Sequence, residues 1–182
     1  PPPVRRSLYL ILCSVALWYM GYNAVTTAFT KYAQTVWGHG VSQASTCLLI
    51  ATAGAVVSYI PIGILASRIG RKKTVLMGVA ILALCFAAGA IVASDFSPAL
   101  YGIFALVGFS WAAINVNSYP MVVEISRLGS VGKYTGYYYT FSMAAQIVTP
   151  IVSGALLEHV GYFTLFPYAA LCLSLIHISE PT

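Results

Sequence analysis

Charge is what this sequence has least of. Of its 182 residues, four are acidic and nine basic, so charged side chains make up 7% of the chain. Soluble domains carry about 25%. A shortage of that size excludes an ordinary water-facing surface. Cysteine is sparse too: Cys13, Cys47, Cys85 and Cys172 stand far apart in apolar runs. With no CxxC pair and no His–Cys cluster, a metal site is not expected, and the four thiols read as small buried apolar residues. No phosphate-cradling glycine loop is present, so the chain carries no ATP coupling of its own. His39 and His159 lie in short connections, and no nucleophile is paired with a base. Neither an enzyme nor a cofactor is expected. The net charge of +5 would point to nucleic acid only as a patch on a soluble surface. Here the cations sit between apolar runs, so nucleic acid is not expected as a partner.

Apolar residues are what is there: 59% of the chain, with a mean hydropathy of +0.85. About 20 of them in a row span a bilayer as a helix. Six candidate spans follow, at residues 7–32, 42–67, 74–93, 98–123, 134–157 and from 163 onward. The connections are short, and one of them, GRKK at residues 70–73, crowds three cations between two uncharged runs, with Arg68 just ahead of it. The predicted fold class is an all-α membrane protein with the lipid bilayer as its first partner. Because the chain opens on Pro1 and not Met, it is expected to begin inside a longer protein.

The cations also orient the chain. With residue 1 in the cytoplasm, Arg5, Arg6, Arg68, Arg71, Lys72, Lys73, Arg127 and Lys133 all fall inside, and only Lys31 falls outside. That asymmetry obeys the positive-inside rule. His39, Asp95, Glu158 and His159 then lie on the outer face. The expected location is a plasma membrane, the bacterial inner membrane, with the start of the chain cytoplasmic.

A repeat is visible as well. GILASRIG (residues 63–70) and GALLEHVG (residues 154–161) keep the same glycine spacing and a shared leucine. Each octet joins the second and third spans of a three-helix set, one on each membrane face. The expected architecture is therefore six transmembrane helices as two inverted three-helix repeats, an arrangement typical of transporters.

These residues resemble the major facilitator superfamily. Its cytoplasmic signature, GxxxDRxGR[RK][RK], is matched by Gly63, Arg68, Gly70, Arg71, Lys72 and Lys73, with Ser67 in place of the usual acid. WYMGYNAV (residues 18–25), WAAINVNSYPMVVE (residues 111–124) and GKYTGYYYTFSMAAQ (residues 132–146) resemble its sugar:cation symporters related to plant sucrose carriers. The resemblance implies half of a twelve-helix carrier, with an N-terminal six-helix half missing. Residues 1–6 would end a cytoplasmic linker, 7–172 would form the six-helix half, and 173–182 would be foreign. That last segment, LSLIHISEPT, resembles an in-frame translation of a transposon-based sequencing adapter, so the last helix is expected to be truncated.

The resemblance also implies that the first helix of each three-helix set lines a central cavity. Both carry polar residues mid-span, where hydrocarbon penalises them unless they face protein or water. Tyr19, Asn23, Thr26 and Thr30 share one helical face, with Tyr22 at its edge. Trp111, Asn115 and Ser118 form a second stripe, with Asn117 beside it. Amides match sugar hydroxyls as both donors and acceptors, and Trp and Tyr rings offer flat faces to pyranose C–H groups. The same residue types also serve as interhelical glue. Gln146 is a further cavity candidate, although Pro150 frees its backbone carbonyl, as Pro61 and Pro120 free those of Val57 and Val116. Of Tyr137, Tyr138 and Tyr139, at most two can face a cavity.

Glu124 is the only acid on the cytoplasmic side ahead of the tail. The resemblance implies a gate contact with Arg68 or Arg71. Arg68 and Lys72 suit a helix C-terminus, and Gly70 suits the left-handed turn after it. The favoured function is secondary transport of a small solute by alternating access, a sugar or glycoside moved with H⁺ or Na⁺. An efflux antiporter of the same fold and a membrane scaffold or receptor are the alternatives.

Overall fold

The computed structural model describes the backbone of residues 2–38, 40–125 and 130–179, and the side chains of 6–38, 40–125 and 130–176. His39, Arg127 and Glu180, and the side chain of Arg5, lie outside the described residues, and with them the faces assigned to those groups. Six helices follow in order: α1 (Pro2–Val36), α2 (Val41–Ile69), α3 (Arg71–Val92), α4 (Ala99–Glu124), α5 (Val131–His159) and α6 (Leu165–Ser179), the last preceded by a 3₁₀ turn at Tyr162–Thr164. The first five are long and apolar enough to cross a membrane, and α6 is shorter.

Helices suit hydrocarbon because each satisfies its own backbone. Several hydroxyls follow the same economy, bonding a carbonyl four residues back: Thr52 to Leu48, Ser58 to Gly54, Ser110 to Leu106 and Ser153 to Thr149. Pro61, Pro120 and Pro150 lie inside α2, α4 and α5, and each helix runs on through them.

The packing is two-fold symmetric. α2 packs on α4, and α5 on α1; α3 packs on α4, and α6 on α1; α3 and α6 touch each other. Exchanging α1 with α4, α2 with α5 and α3 with α6 turns each pairing into another of the set, as two inverted three-helix repeats require. The octet turns carry the same symmetry. Gly70 (φ 93°) returns its N–H to Ala66 O at 3.0 Å, and Gly161 (φ 137°) returns its N–H to Leu156 O at 3.1 Å. Gly70 corrects one expectation. Its ψ of 146° puts it in the extended positive-φ region open essentially only to glycine, not in a left-handed helical turn. That geometry lets it end α2 and start α3 with no connecting residue between them.

The core lies where α1, α3, α4 and α6 converge. Phe29 of α1 meets Phe104 of α4 at 4.6 Å and Phe166 of α6 at 5.8 Å between ring centroids. At the same end Tyr32 Oη and Trp37 Nε1 both donate to Ala93 O, at 2.9 and 2.8 Å, tying α1 to the end of α3. α2 and α4 approach closely at Gly108: a Cβ there would fall 2.0 Å from Ala51 O.

α6, at 15 residues, is short, as the expectation of a truncated last helix has it, and three further details of helix ends and burial follow. α1 is helical from Pro2, so most of the expected linker continues the helix. α6 continues past residue 172 to Ser179 and buries Leu173 and Ile176, because LSLI is as apolar as the span before it. Cys13 is exposed, unlike the buried Cys47, Cys85 and Cys172, because it points off the packed face of α1.

Candidate functional site

The two helices expected to line a cavity meet mainly through rings. The backbones of α1 and α4 make little contact with each other. Across the gap, Tyr22 stacks on Trp111 at 3.9 Å between centroids and 8° between planes. Tyr19 meets the same indole edge-on, at 5.2 Å and 87°. Tyr22 and Trp111 each sit about halfway along their helices, near the depth at which such carriers bind solute. Each aromatic pair of this kind contributes about 0.5–1.5 kcal/mol beyond its buried area. Tyr22, placed by sequence at the edge of the stripe, is thus the residue in closest register with Trp111. The helical period only locates a residue around one helix; the facing ring decides which neighbour it meets.

The amides differ in what they hold. Asn115 is half-buried one turn along from Trp111, and among the described residues its side chain has no hydrogen-bond partner. Asn23 donates through Nδ2 to Tyr19 O, at 2.8 Å, in its own helix. Thr26 likewise bonds Tyr22 O, at 3.1 Å. Asn117 is buried and bonds Ala113 O at 2.8 Å. Ser118 is buried as well, and its hydroxyl lies 2.9 Å from Tyr138 Oη. It links α4 to α5 and is not a free cavity group. Gln146 is not brought to this cluster: it is exposed on α5 and donates to Ser142 O at 3.3 Å.

Sequence reasoning left open which tyrosine of the run on α5 turns inward. Tyr138 does, and it is 3% exposed. Its ring packs against Tyr119 at 5.4 Å, and Tyr119 Oη in turn lies 3.1 Å from Thr135 Oγ1. Tyr137 turns away beneath Lys133, whose Nζ lies 5.7 Å from its ring centroid. The phenols of Tyr138, Tyr139 and Tyr59 lie within electrostatic range of that of Tyr19. Tyr59, Tyr119 and Thr135 were not singled out in the sequence. Tyr119 directly follows Ser118, and Thr135 stands three residues, about one helical turn, before Tyr138; that spacing was the available signal.

The basic turn forms the second part of the site. Of the two cations considered for Glu124, the structure brings Arg71 to it: Arg71 Nη1 and Glu124 Oε1 form an ion pair joining the start of α3 to the end of α4. Arg68 is exposed and makes no ion pair among the described residues. Ser67 Oγ bonds Ile64 O at 2.7 Å. The pair stands at the surface, with the Arg71 and Glu124 side chains 42% and 61% exposed. Its strength belongs with surface pairs, about 0–1 kcal/mol. Arg71, Lys72, Gly70 and Glu124 line a cleft of about 580 Å³, with Ile11 of α1 and Met121 of α4 on its walls. The cleft therefore connects the basic turn to the two helices that carry the ring cluster. Among the described residues no three His, Cys, Asp or Glu side chains gather as a metal site.

No curated protein matches the chain. The family model of the Major Facilitator Superfamily matches residues 11–178. The chain belongs to that superfamily, and with it to the secondary transporters of small solutes.

Proposed function

We propose that this chain is half of an alternating-access carrier for a sugar or glycoside moved together with a cation, H⁺ or Na⁺. The cargo binds between α1 and α4, against Trp111 and its two tyrosines. The observation that carries this reading is the ring platform beside an unpartnered amide. Trp111, Tyr22 and Tyr19 present apolar aromatic surface at mid-depth, and Asn115 offers both donors and an acceptor with no partner among the described residues. An amide held in a membrane span without a partner is costly unless water or cargo satisfies it. A ring face plus an amide suits a pyranose, which has apolar C–H faces and a rim of hydroxyls.

Asn23 keeps its Oδ1 for cargo while Nδ2 serves its own helix. The Arg71–Glu124 pair, beside the cleft, acts as the gate contact on the face of the basic turn. All four acids of the chain lie at span ends, in connections or in the tail, so the coupling ion binds on a second six-helix half that completes the carrier. That half covers the faces of α2 and α5 that this chain leaves exposed, among them Val57, Ile60, Ile147 and Ile151.

Uptake of a panel of radiolabelled sugars and glycosides by the reconstituted full-length protein tests the proposal, with and without imposed H⁺ or Na⁺ gradients. Gradient-driven accumulation is expected, with affinity several-fold weaker in Asn115→Ala and Asn23→Ala and further lowered in Trp111→Ala. A buried hydrogen bond to cargo contributes about 0.5–1.5 kcal/mol. Uptake that ignores all three substitutions removes the cluster from the binding site. Solute movement only outward against a gradient replaces symport with efflux.

A further inference from the structure

A second ion pair stands on the opposite face of the membrane from Arg71–Glu124. Lys31 Nζ of α1 lies 3.0 Å from Glu158 Oε1 of α5, with both side chains more than half exposed. Tyr162, in the 3₁₀ turn that follows, is a further polar neighbour of Lys31. The two pairs occupy related places. Glu124 is at the end of α4, the first helix of the second repeat, and pairs with the turn between α2 and α3. Lys31 is near the end of α1, the first helix of the first repeat, and pairs with the turn between α5 and α6. Glu158 lies within the second octet, three residues before Gly161, the counterpart of Gly70. The exchange that relates the helix packings brings the two pairs to corresponding turns, though on opposite sides of the turn glycine: Arg71 follows Gly70 at the start of α3, and Glu158 precedes Gly161 at the end of α5.

The charges are reversed between them. On one face the turn supplies the cation and the helix end the acid; on the other the turn supplies the acid and the helix end the cation. Topology gives the reason. A basic turn is favoured only on the cytoplasmic side. On the outer side the turn carries the acid and the helix end the cation, which keeps Lys and Arg out of that turn. This accounts for Lys31, the one cation that breaks the charge asymmetry of the sequence.

We propose that Lys31 and Glu158 form an outer latch, the charge-reversed counterpart of the Arg71–Glu124 contact. It holds the end of α1 against the α5–α6 turn while the outer face is closed. It parts when α1 swings to open that face. The latch rests on the alternating-exposure reading but not on the identity of the cargo.

The test uses the full-length protein in a cysteine-free background, with Cys13, Cys47, Cys85 and Cys172 replaced by alanine. A single reporter cysteine replaces Thr26, on α1 between the latch and the ring cluster. An impermeant maleimide is applied from the Lys31 face, and labelling of a Ser94→Cys version normalises for protein at the surface. Lys31→Gln and Glu158→Gln should each raise the rate at position 26, by up to about fivefold, the shift an exposed pair can drive. The exchanged pair, Lys31→Glu with Glu158→Lys, should return within about twofold of the parent. Glu124→Gln should move the rate the other way, because it releases the opposite face. Unchanged labelling in both single variants, no recovery in the exchanged pair, or a shift of the same sign from Glu124→Gln overturns the latch. The labelling needs no cargo, so absent sugar uptake in the same protein sinks the cargo reading alone.

Discussion

Gly108→Ala is the sharpest test of how this bundle is held together. The new Cβ would lie 2.0 Å from Ala51 O and 2.9 Å from both Ala51 C and Ala55 N, all backbone atoms of α2. A carbon resting on a carbonyl oxygen needs about 3.3 Å. α2 and α4 must therefore part by roughly 1 Å or more, because backbone atoms cannot rotate aside as a side chain can. The separation would loosen the α2–α4 interface on both sides of the new methyl. Inserting a methylene into packed structure typically costs 1–3 kcal/mol, and the backbone obstacle places this one near about 3 kcal/mol. That is somewhat over a hundredfold in the ratio of folded to unfolded protein. The same helix supplies the control. A Cβ at Gly102 meets no atom within 4 Å, so Gly102→Ala should gain about 0.5–1 kcal/mol of helix propensity. Equilibrium unfolding of purified protein in mixed micelles measures both. If Gly108→Ala stays within about 0.5 kcal/mol of the parent, or tracks Gly102→Ala, the close approach of α2 and α4 is not what sets stability.

Three further outcomes are expected. Tyr138→Phe should lower stability by about 0.6 kcal/mol, and at most about 1.7, the range for hydrogen bonds between membrane helices. Combined with Ser118→Ala it should cost little more than either alone, whereas additive losses in the unfolding assay would mean the two hydroxyls do not act together. In a double-mutant cycle read by transport rate, Glu124→Gln and Arg71→Gln should show a coupling of at most about 1 kcal/mol that shrinks at high salt. Glu124→Gln and Arg68→Gln should be additive, and the reverse pattern would move the gate contact to Arg68. Single cysteines replacing Lys72 and Ser94 should react from opposite faces in intact cells, with Ser94 external; labelling at 72 but not at 94 by an impermeant reagent would invert the orientation.

Much of the fold was legible in the sequence, because hydrocarbon allows so few solutions. Scarce charge, six apolar runs and short connections lead to six helices, and the matched octets lead to two inverted repeats. In water the same apolar content would leave many architectures open; in a bilayer the backbone must satisfy itself within each helix or within a closed barrel. The basic turn and the lone acid expected on its side of the membrane also showed where a charge contact had to be sought.

What the sequence left open lies between helices. Helical spacing put Tyr19, Asn23 and Thr26 on one face, yet it could not say that Tyr22 would be the ring lying flat on Trp111. It marked three successive tyrosines without saying that Tyr138 alone turns inward to Ser118. It could not separate Arg68 from Arg71, which lie on either side of the glycine that turns α2 into α3. It named Gln146, which is exposed on α5 and bonds within its own helix. Period and composition assign a residue to a face of its own helix, and they act locally. Which two faces meet, and how closely, depends on crossing distances set by residues as small as Gly108, so the ring platform, the Ser118–Tyr138 link and the pairing of Lys31 with Glu158, 127 residues away, were decided only when the helices packed.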